Sequence, residues 1–373
     1  MTLPDTTRLA ELAVHSVELI TGLQDASGAY PASPTFSAYQ GYCWFRDGAF
    51  IADGVSAAGA VDSASSFFDW CARILEARSK QIAEIVAAAA AGTPVPDSDM
   101  LATRFTFSGE EGTDDWWDFQ LDGYGTWLWA VVDHANRHGL SLDRWKNAIE
   151  LSVAYLVSSW SRPCFDWWEE SAEHVHGSTL GCIAGGLSAV IDAGILDDSR
   201  AARQAVRDIR KLILEEGLTD GHLAKWLGSM AVDGSLASVL YPLEVFPADS
   251  AIGLATISAI ESQLTEGNGV HRYLADTFFG GGQWPLLSCM LGLAHSRAGN
   301  PVRARELLEW AATTVTPSGD MPEQVGEHVL DPSMTKEWID RWGTVATPLL
   351  WSHAMFARLA VELGILNLAK DSQ

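Results

Sequence analysis

Apolar residues recur along this chain at intervals of three and four, with almost no alternation of period two. Residues 5 to 23 set the pattern: Leu9, Leu12, Ala13, Val17, Ile20 and Leu23 fall mostly on one helical stripe, and Asp5, Thr6 or Thr7 can cap its start. The same spacing predicts helices over 49–60, 62–91, 124–138, 142–160, 174–196, 199–217, 249–264, 284–298, 303–314 and 344–364. Breakers such as Gly92-Thr-Pro-Val-Pro separate them, and 217–247 reads as a mixed patch of turns. About 12 helical runs without partner strands bury their stripes if the helices pair around an axis as one core. No linker divides the chain, so residues 1–373 are expected to form a single all-α domain.

Composition narrows the classes. The chain is 47% hydrophobic and 19% charged, enough for a large core and too apolar for a disordered polymer. Its 24 Lys and Arg against 48 Asp and Glu leave a formal charge of −24, which repels nucleic acid and anionic membranes but not a neutral sugar. Sixteen tryptophans suit both core filling and stacking on sugar rings. Five cysteines, widely spaced and odd in number, indicate neither a disulfide framework nor a zinc knuckle. With no signal-like amino terminus and no membrane-length apolar segment, the expectation is a soluble cytoplasmic protein.

The chemistry concentrates in Cys164-Phe-Asp-Trp-Trp-Glu-Glu170, where Glu169 and Glu170 follow two large rings. A dry aromatic wall raises a carboxyl pKa, which a general acid near neutral pH requires. The second carboxyl expected is Glu323 in Ser318-Gly-Asp-Met-Pro-Glu-Gln-Val, since glycoside hydrolysis needs two. Arg46-Asp47 can exchange paired hydrogen bonds with vicinal hydroxyls. The acidic stretch 110–118 lacks the calcium spacing of an EF-hand and reads as a solvated rim with one sugar-facing ring among Trp116 and Trp117. On a helix His174 and His176 would not share a face, so capping or hydroxyl contact is expected there rather than metal binding. The triplet Gly280-Gly281-Gly282 is not followed by Lys-Ser or Lys-Thr and reads as a turn, not a phosphate loop.

Five motifs occur in order: Trp44-Phe-Arg-Asp-Gly48, Phe119-Gln-Leu-Asp-Gly-Tyr-Gly125, Trp168-Glu-Glu170, Met321-Pro-Glu-Gln324 and Trp351-Ser-His-Ala354. Together they resemble glycoside hydrolase family 15, the glucoamylase and glucodextranase type. The resemblance implies an (α/α)6 barrel, here without an amino-terminal β-sandwich, and release of β-glucose from the non-reducing end of a small neutral α-glucoside, with inversion. It implies Glu169 as general acid and Glu323 as general base, about 6.5 to 9.5 Å apart. Substrate contacts are implied for Arg46, Asp47, Trp44, Tyr42, Trp116, Trp117, Trp168, Glu170, Arg272 and Gln324, with Asp276 orienting Arg272 and Gln324 supporting the base loop. No metal and no organic cofactor is called for. A tyrosine that many family members carry six residues before the arginine falls on Gln40. Isomaltose or a short isomalto- or malto-oligosaccharide is the expected substrate, and trehalose the nearest rival. A sugar-binding barrel without catalysis, or a sugar epimerase working through His174, His176 and His353, are readings from other classes.

Overall fold

The amino-terminal stripe folds as α1 (Thr6–Leu23), and of its three candidate caps Asp5 is used, accepting the Arg8 N–H at 2.9 Å. The structure, a computed structural model, describes residues 5–116 and 118–366. Thirteen further helices follow: α2 (Phe45–Ala57), α3 (Val61–Ala77), α4 (Ser79–Ala90), α5 (Asp122–His138), α6 (Lys146–Ser159), α7 (Gly177–Ala193) and α8 (Arg200–Glu216), then α9 (Ala237–Leu240), α10 (Ala251–Leu264), α11 (Pro285–Arg297), α12 (Pro301–Thr313), α13 (Pro332–Trp342) and α14 (Leu350–Glu362).

Six of them close a ring. α2 packs on α5, α5 on α7, α7 on the short α9, α9 on α11, α11 on α14, and α14 back on α2. Around it α3, α6, α8, α10, α12 and α1 each pack on the inner helix next to them in that order. This is an (α/α)6 barrel.

Burial separates the two layers. Outer α8 buries Ala202, Ala205, Ile209 and Ile213, a single stripe, whereas inner α2 buries eleven of its thirteen residues. Inner helices approach through glycine: a Cβ on Gly186 of α7 would lie 2.1 Å from the Gly125 carbonyl oxygen of α5, so only hydrogen fits there.

The strands are short. β1 (Tyr42–Trp44) pairs antiparallel with β2 (Arg104–Thr106), setting Trp44 opposite Arg104, and two-residue hairpins occur at 218–223 and 265–270.

Several expected boundaries move. The run 62–91 breaks at Arg78, and α4 turns out to pack on outer α6 instead of extending α3. The helix expected from 174 begins at Gly177, so His174 and His176 precede it. α14 begins at Leu350, not 344, and α13 arises inside what reads as loop. α2 begins at Phe45, which puts Arg46 and Asp47 in its first turn.

Candidate active site

The amino-terminal ends of the inner helices point to one side of the barrel. Their first turns supply Arg46 and Asp47 from α2, Asp122 from α5 and Trp351 from α14, and Trp284 sits at the start of α11. The partial positive charge at helix starts favours carboxylates there. A cavity of about 180 Å3 opens among Arg46, Asp47, Trp44, Trp116, Trp168, Glu169, Glu170, Arg272 and Glu323, with more aromatic rings around them.

Glu169 reaches it from a loop shaped by Asp166. The Asp166 carboxylate accepts the N–H of Trp168 at 2.9 Å and of Glu170 at 3.0 Å, and this turn puts Glu169 at φ +64°. A non-glycine residue in the left-handed region is strained, and persists where its surroundings enforce it. Here the enforcement is a buried charge cluster: Lys225 Nζ lies 3.1 Å from Asp166 and 2.6 Å from Asp233, and Asp233 also accepts the indole N–H of Trp168 at 3.0 Å.

Glu323 reaches the cavity from a loop held by backbone bonds. Met321 N–H donates to His353 Nε2 at 2.8 Å, Ser352 Oγ donates to the Pro322 carbonyl at 2.9 Å, and Glu323 N–H donates to the Ala346 carbonyl at 2.9 Å. The Trp351-Ser-His-Ala354 motif is therefore a mount for the Met321-Pro-Glu-Gln324 motif. His353, buried and pushed down to about 3, is a neutral acceptor across ordinary pH.

Between the two carboxyls stand Tyr39 and Trp44, their ring centroids 5.5 Å apart. Tyr39 OH donates to Glu323 Oε1 at 2.9 Å, and Trp44 Nε1 donates to Glu169 Oε1 at 2.6 Å. Two carboxyls at opposite ends of one aromatic partition suit proton donation on one side of a bond and proton removal on the other.

The family model of Glycosyl hydrolases family 15 matches residues 10–235. An isomaltose glucohydrolase of Kribbella flavida is 52% identical over 369 residues, covering 98% of this chain and 96% of the relative. The chain belongs to glycosyl hydrolases family 15. A solved glutamate-to-alanine variant of a glycosidase in complex with glucose superposes with TM-score 0.95 at 52% identity, covering 97% of this chain and 98% of that one. A glucoamylase from Saccharomycopsis fibuligera, 16% identical with TM-score 0.72 over 98% of both chains, shares the fold.

Within this family 15 glycoside hydrolase, the expected contacts sort by position. Arg46, Asp47, Trp44, Trp116, Trp168, Glu170 and Arg272 line the cavity. Tyr42 stands behind it: its ring lies 3.8 Å from the Arg104 guanidinium, which also lies 3.9 Å from the Trp116 ring, and its hydroxyl donates to Asp114 at 2.6 Å. Gln324 is likewise behind the wall, its side-chain carbonyl accepting the Gly282 N–H at 2.8 Å, which matches loop support and not sugar contact. Trp117 lies outside the described residues. The tyrosine sought at position 40 is one residue earlier: Gln40 turns to the Pro34 carbonyl, and Tyr39 enters the cavity. Trp167 and Trp168 line the same cavity as Glu169, and the Trp44 indole N–H donates to its carboxyl.

Sequence reasoning missed Asp166, Lys225 and Asp233, which are distant in the chain and carry no joint motif. Gln120 and Asp122, both in the Phe119–Gly125 motif, accept from Arg46 Nη1 at 2.6 and 3.1 Å and so aim the guanidinium. Arg272 is aimed by Asp276, which accepts its Nε–H at 2.7 Å, and it reaches Glu170 at 3.3 Å.

Burial dominates the electrostatics. It raises Glu169, against the pull of Arg46 and the Trp44 hydrogen bond, and it pushes Glu323 up to about 8, against Tyr39 and Arg272. Asp47 goes up to about 7, burial outweighing Arg46. Glu323 Oε2 is buried and makes no hydrogen bond among the described residues, a costly state, whereas Arg46 Nε and Asp47 Oδ2 face each other as an ion pair at 3.5 Å. Among the described residues no cluster of His, Cys, Asp and Glu is arranged to hold a metal, and no helix is long and apolar enough to cross a membrane.

Proposed function

We propose that the protein hydrolyses isomaltose or a short relative of it, releasing β-glucose, with Glu169 as general acid and Glu323 as general base. Glu169 gives its proton to the glycosidic oxygen as the bond to C1 breaks. Glu323 takes a proton from the water that adds to C1 on the opposite face, which inverts the anomeric centre. Arg46 and Asp47 grip the hydroxyls of the terminal glucose, and Glu170 with Arg272 contacts the leaving sugar. Tyr39 holds the Glu323 carboxyl in position, and no cofactor enters the chemistry.

The observation that carries this reading is that Glu169 and Glu323 line one cavity together with Arg46 and Asp47. The isomaltose preference leans on the relative at 52% identity. The epimerase reading loses support because, among the described residues, no histidine lines the cavity. We read residues 1–373 as one catalytic domain, and the five cysteines, all free and buried, suit a reducing cytoplasm.

Incubation with isomaltose, maltose and trehalose, followed by NMR of the first glucose released, tests the proposal. β-Glucose from isomaltose is expected. α-Glucose as the first product, or preferred hydrolysis of trehalose, overturns it.

A further inference from the structure

The chain that carries Glu323 does not run directly into α14. It pairs with Gln283 through Val325 N–H at 2.8 Å, builds α13, and returns at Ala346, the acceptor of the Glu323 N–H. Nothing in the barrel requires this excursion. α13 belongs to neither ring, and none of its residues is buried.

Its seat is the glycine triplet. A Cβ on Gly280 would meet Thr335 Oγ1 at 2.4 Å, one on Gly281 would meet the Asp276 carbonyl oxygen at 2.4 Å and Leu330 Cβ at 3.2 Å, and one on Gly282 would meet Gln324 Oε1 at 2.5 Å. These close approaches let Asp331 N–H reach the Gly280 carbonyl at 2.9 Å and Thr335 Oγ1 the Phe279 carbonyl at 3.3 Å. Thr335, Trp338 and Trp342 share the face turned to the seat, at helical spacings of three and four.

That face is aromatic. Trp338 packs edge-on against Phe278 at 4.9 Å, and Trp342 lies 6.3 Å from Phe36. All four rings line the cavity, with the Arg272 guanidinium 5.2 Å from the Phe278 ring, and Arg46, Asp47, Glu169, Glu170, Arg272 and Glu323 supply the charged contacts. Such a wall offers a sugar ring a surface to stack on and gives a further ring few hydrogen-bond partners.

We propose that α13 is a chain-length gauge: Trp338 and Trp342 close the leaving-group side of the cavity after one sugar ring, so the enzyme favours disaccharides over longer α-glucosides. This rests on the functional reading above and adds the segment that sets substrate length. Discrimination then resides in a helix that the barrel does not need for its own packing.

The test compares kcat/KM for isomaltose, isomaltotriose and isomaltotetraose in the full-length protein and in Trp338→Ala, Trp342→Ala and the double variant. In the wild type kcat/KM falls at least about tenfold from di- to trisaccharide, the scale on which pocket walls discriminate. In the double variant that ratio shrinks by about fivefold or more, through a lower KM for the trisaccharide. Gly280→Ala, which lifts α13 from its seat while keeping both indoles, is expected to shift the ratio the same way. Equal wild-type kcat/KM on all three substrates, or a parallel loss on all three in every variant, overturns the gauge alone. A wild type that cleaves no isomaltose overturns the functional reading and the gauge with it.

Discussion

The two loops that bring carboxyls into the cavity are held by different physics. The Glu169 loop is wound around Asp166, and its strained turn is held by a buried cluster of Lys225, Asp166 and Asp233. The Glu323 loop is held by neutral hydrogen bonds to His353, Ser352 and Ala346, and among the described residues Glu323 itself makes no ion pair. Breaking a buried ion cluster by removing one member leaves uncompensated charge and is far more damaging than deleting one neutral bond. The proposed acid is therefore mounted on a brittle support, and the proposed base on a redundant one.

The carboxyls also differ in what faces them. Glu169 meets Arg46 and the Trp44 N–H, while Glu323 meets a tyrosine hydroxyl with Arg272 as its counter-charge. Burial thus lifts Glu323 to about 8, so the ionised form that can accept a proton gains as pH rises through that value. Roles in turnover follow from position on either side of the bond.

The largest effect expected is on turnover. Glu169→Gln and Glu323→Gln should each lower kcat by about a thousandfold, measured as glucose release, since each removes a proton-transfer group. If either variant keeps near-normal activity, the pairing across the cavity is wrong.

Next is the brittle support. Lys225→Met should destabilise the fold by about 3 to 5 kcal/mol in denaturant unfolding, because Asp166 and Asp233 are left buried without their cation. A loss no larger than that of a surface substitution would erase the contrast between the two loops.

Glu323→Gln should also raise the melting temperature, and the gain should depend on pH. A carboxyl with a folded pKa of about 8 contributes its full stability below the unfolded value near 4.5 and loses it as pH rises towards 8. The variant is spared that loss, so its advantage should grow from pH 4 to pH 8 in thermal scans. An advantage that stays flat with pH would place the titrating group elsewhere.

Tyr39→Phe sharpens the electrostatic difference. The hydroxyl pulls the Glu323 pKa down, so its removal should move the limb of the kcat/KM profile expected near pH 8 to higher pH. The redundant support gives the smallest effect: Ser352→Ala removes one neutral bond to the Pro322 carbonyl and should lower stability by about 1 kcal/mol in the same denaturant assay.

The outer layer and the chemistry were the legible part of this molecule. Outer helices face water on one side, so α1 and α8 carry visible stripes, and polar residues marking Arg46, Asp47, Glu169 and Glu323 stand out in an otherwise apolar chain. Inner helices such as α2 are buried on all sides, which erases the stripe and with it the helix start. Tertiary structure alone decided that Tyr39 and not residue 40 meets Glu323, that Lys225 and Asp233 hold the Glu169 turn, and that α13 sits on the glycine triplet. The reason is range: periodicity and capping act within a few residues, whereas these contacts join segments far apart in the chain, and their energy exists only once the barrel has closed.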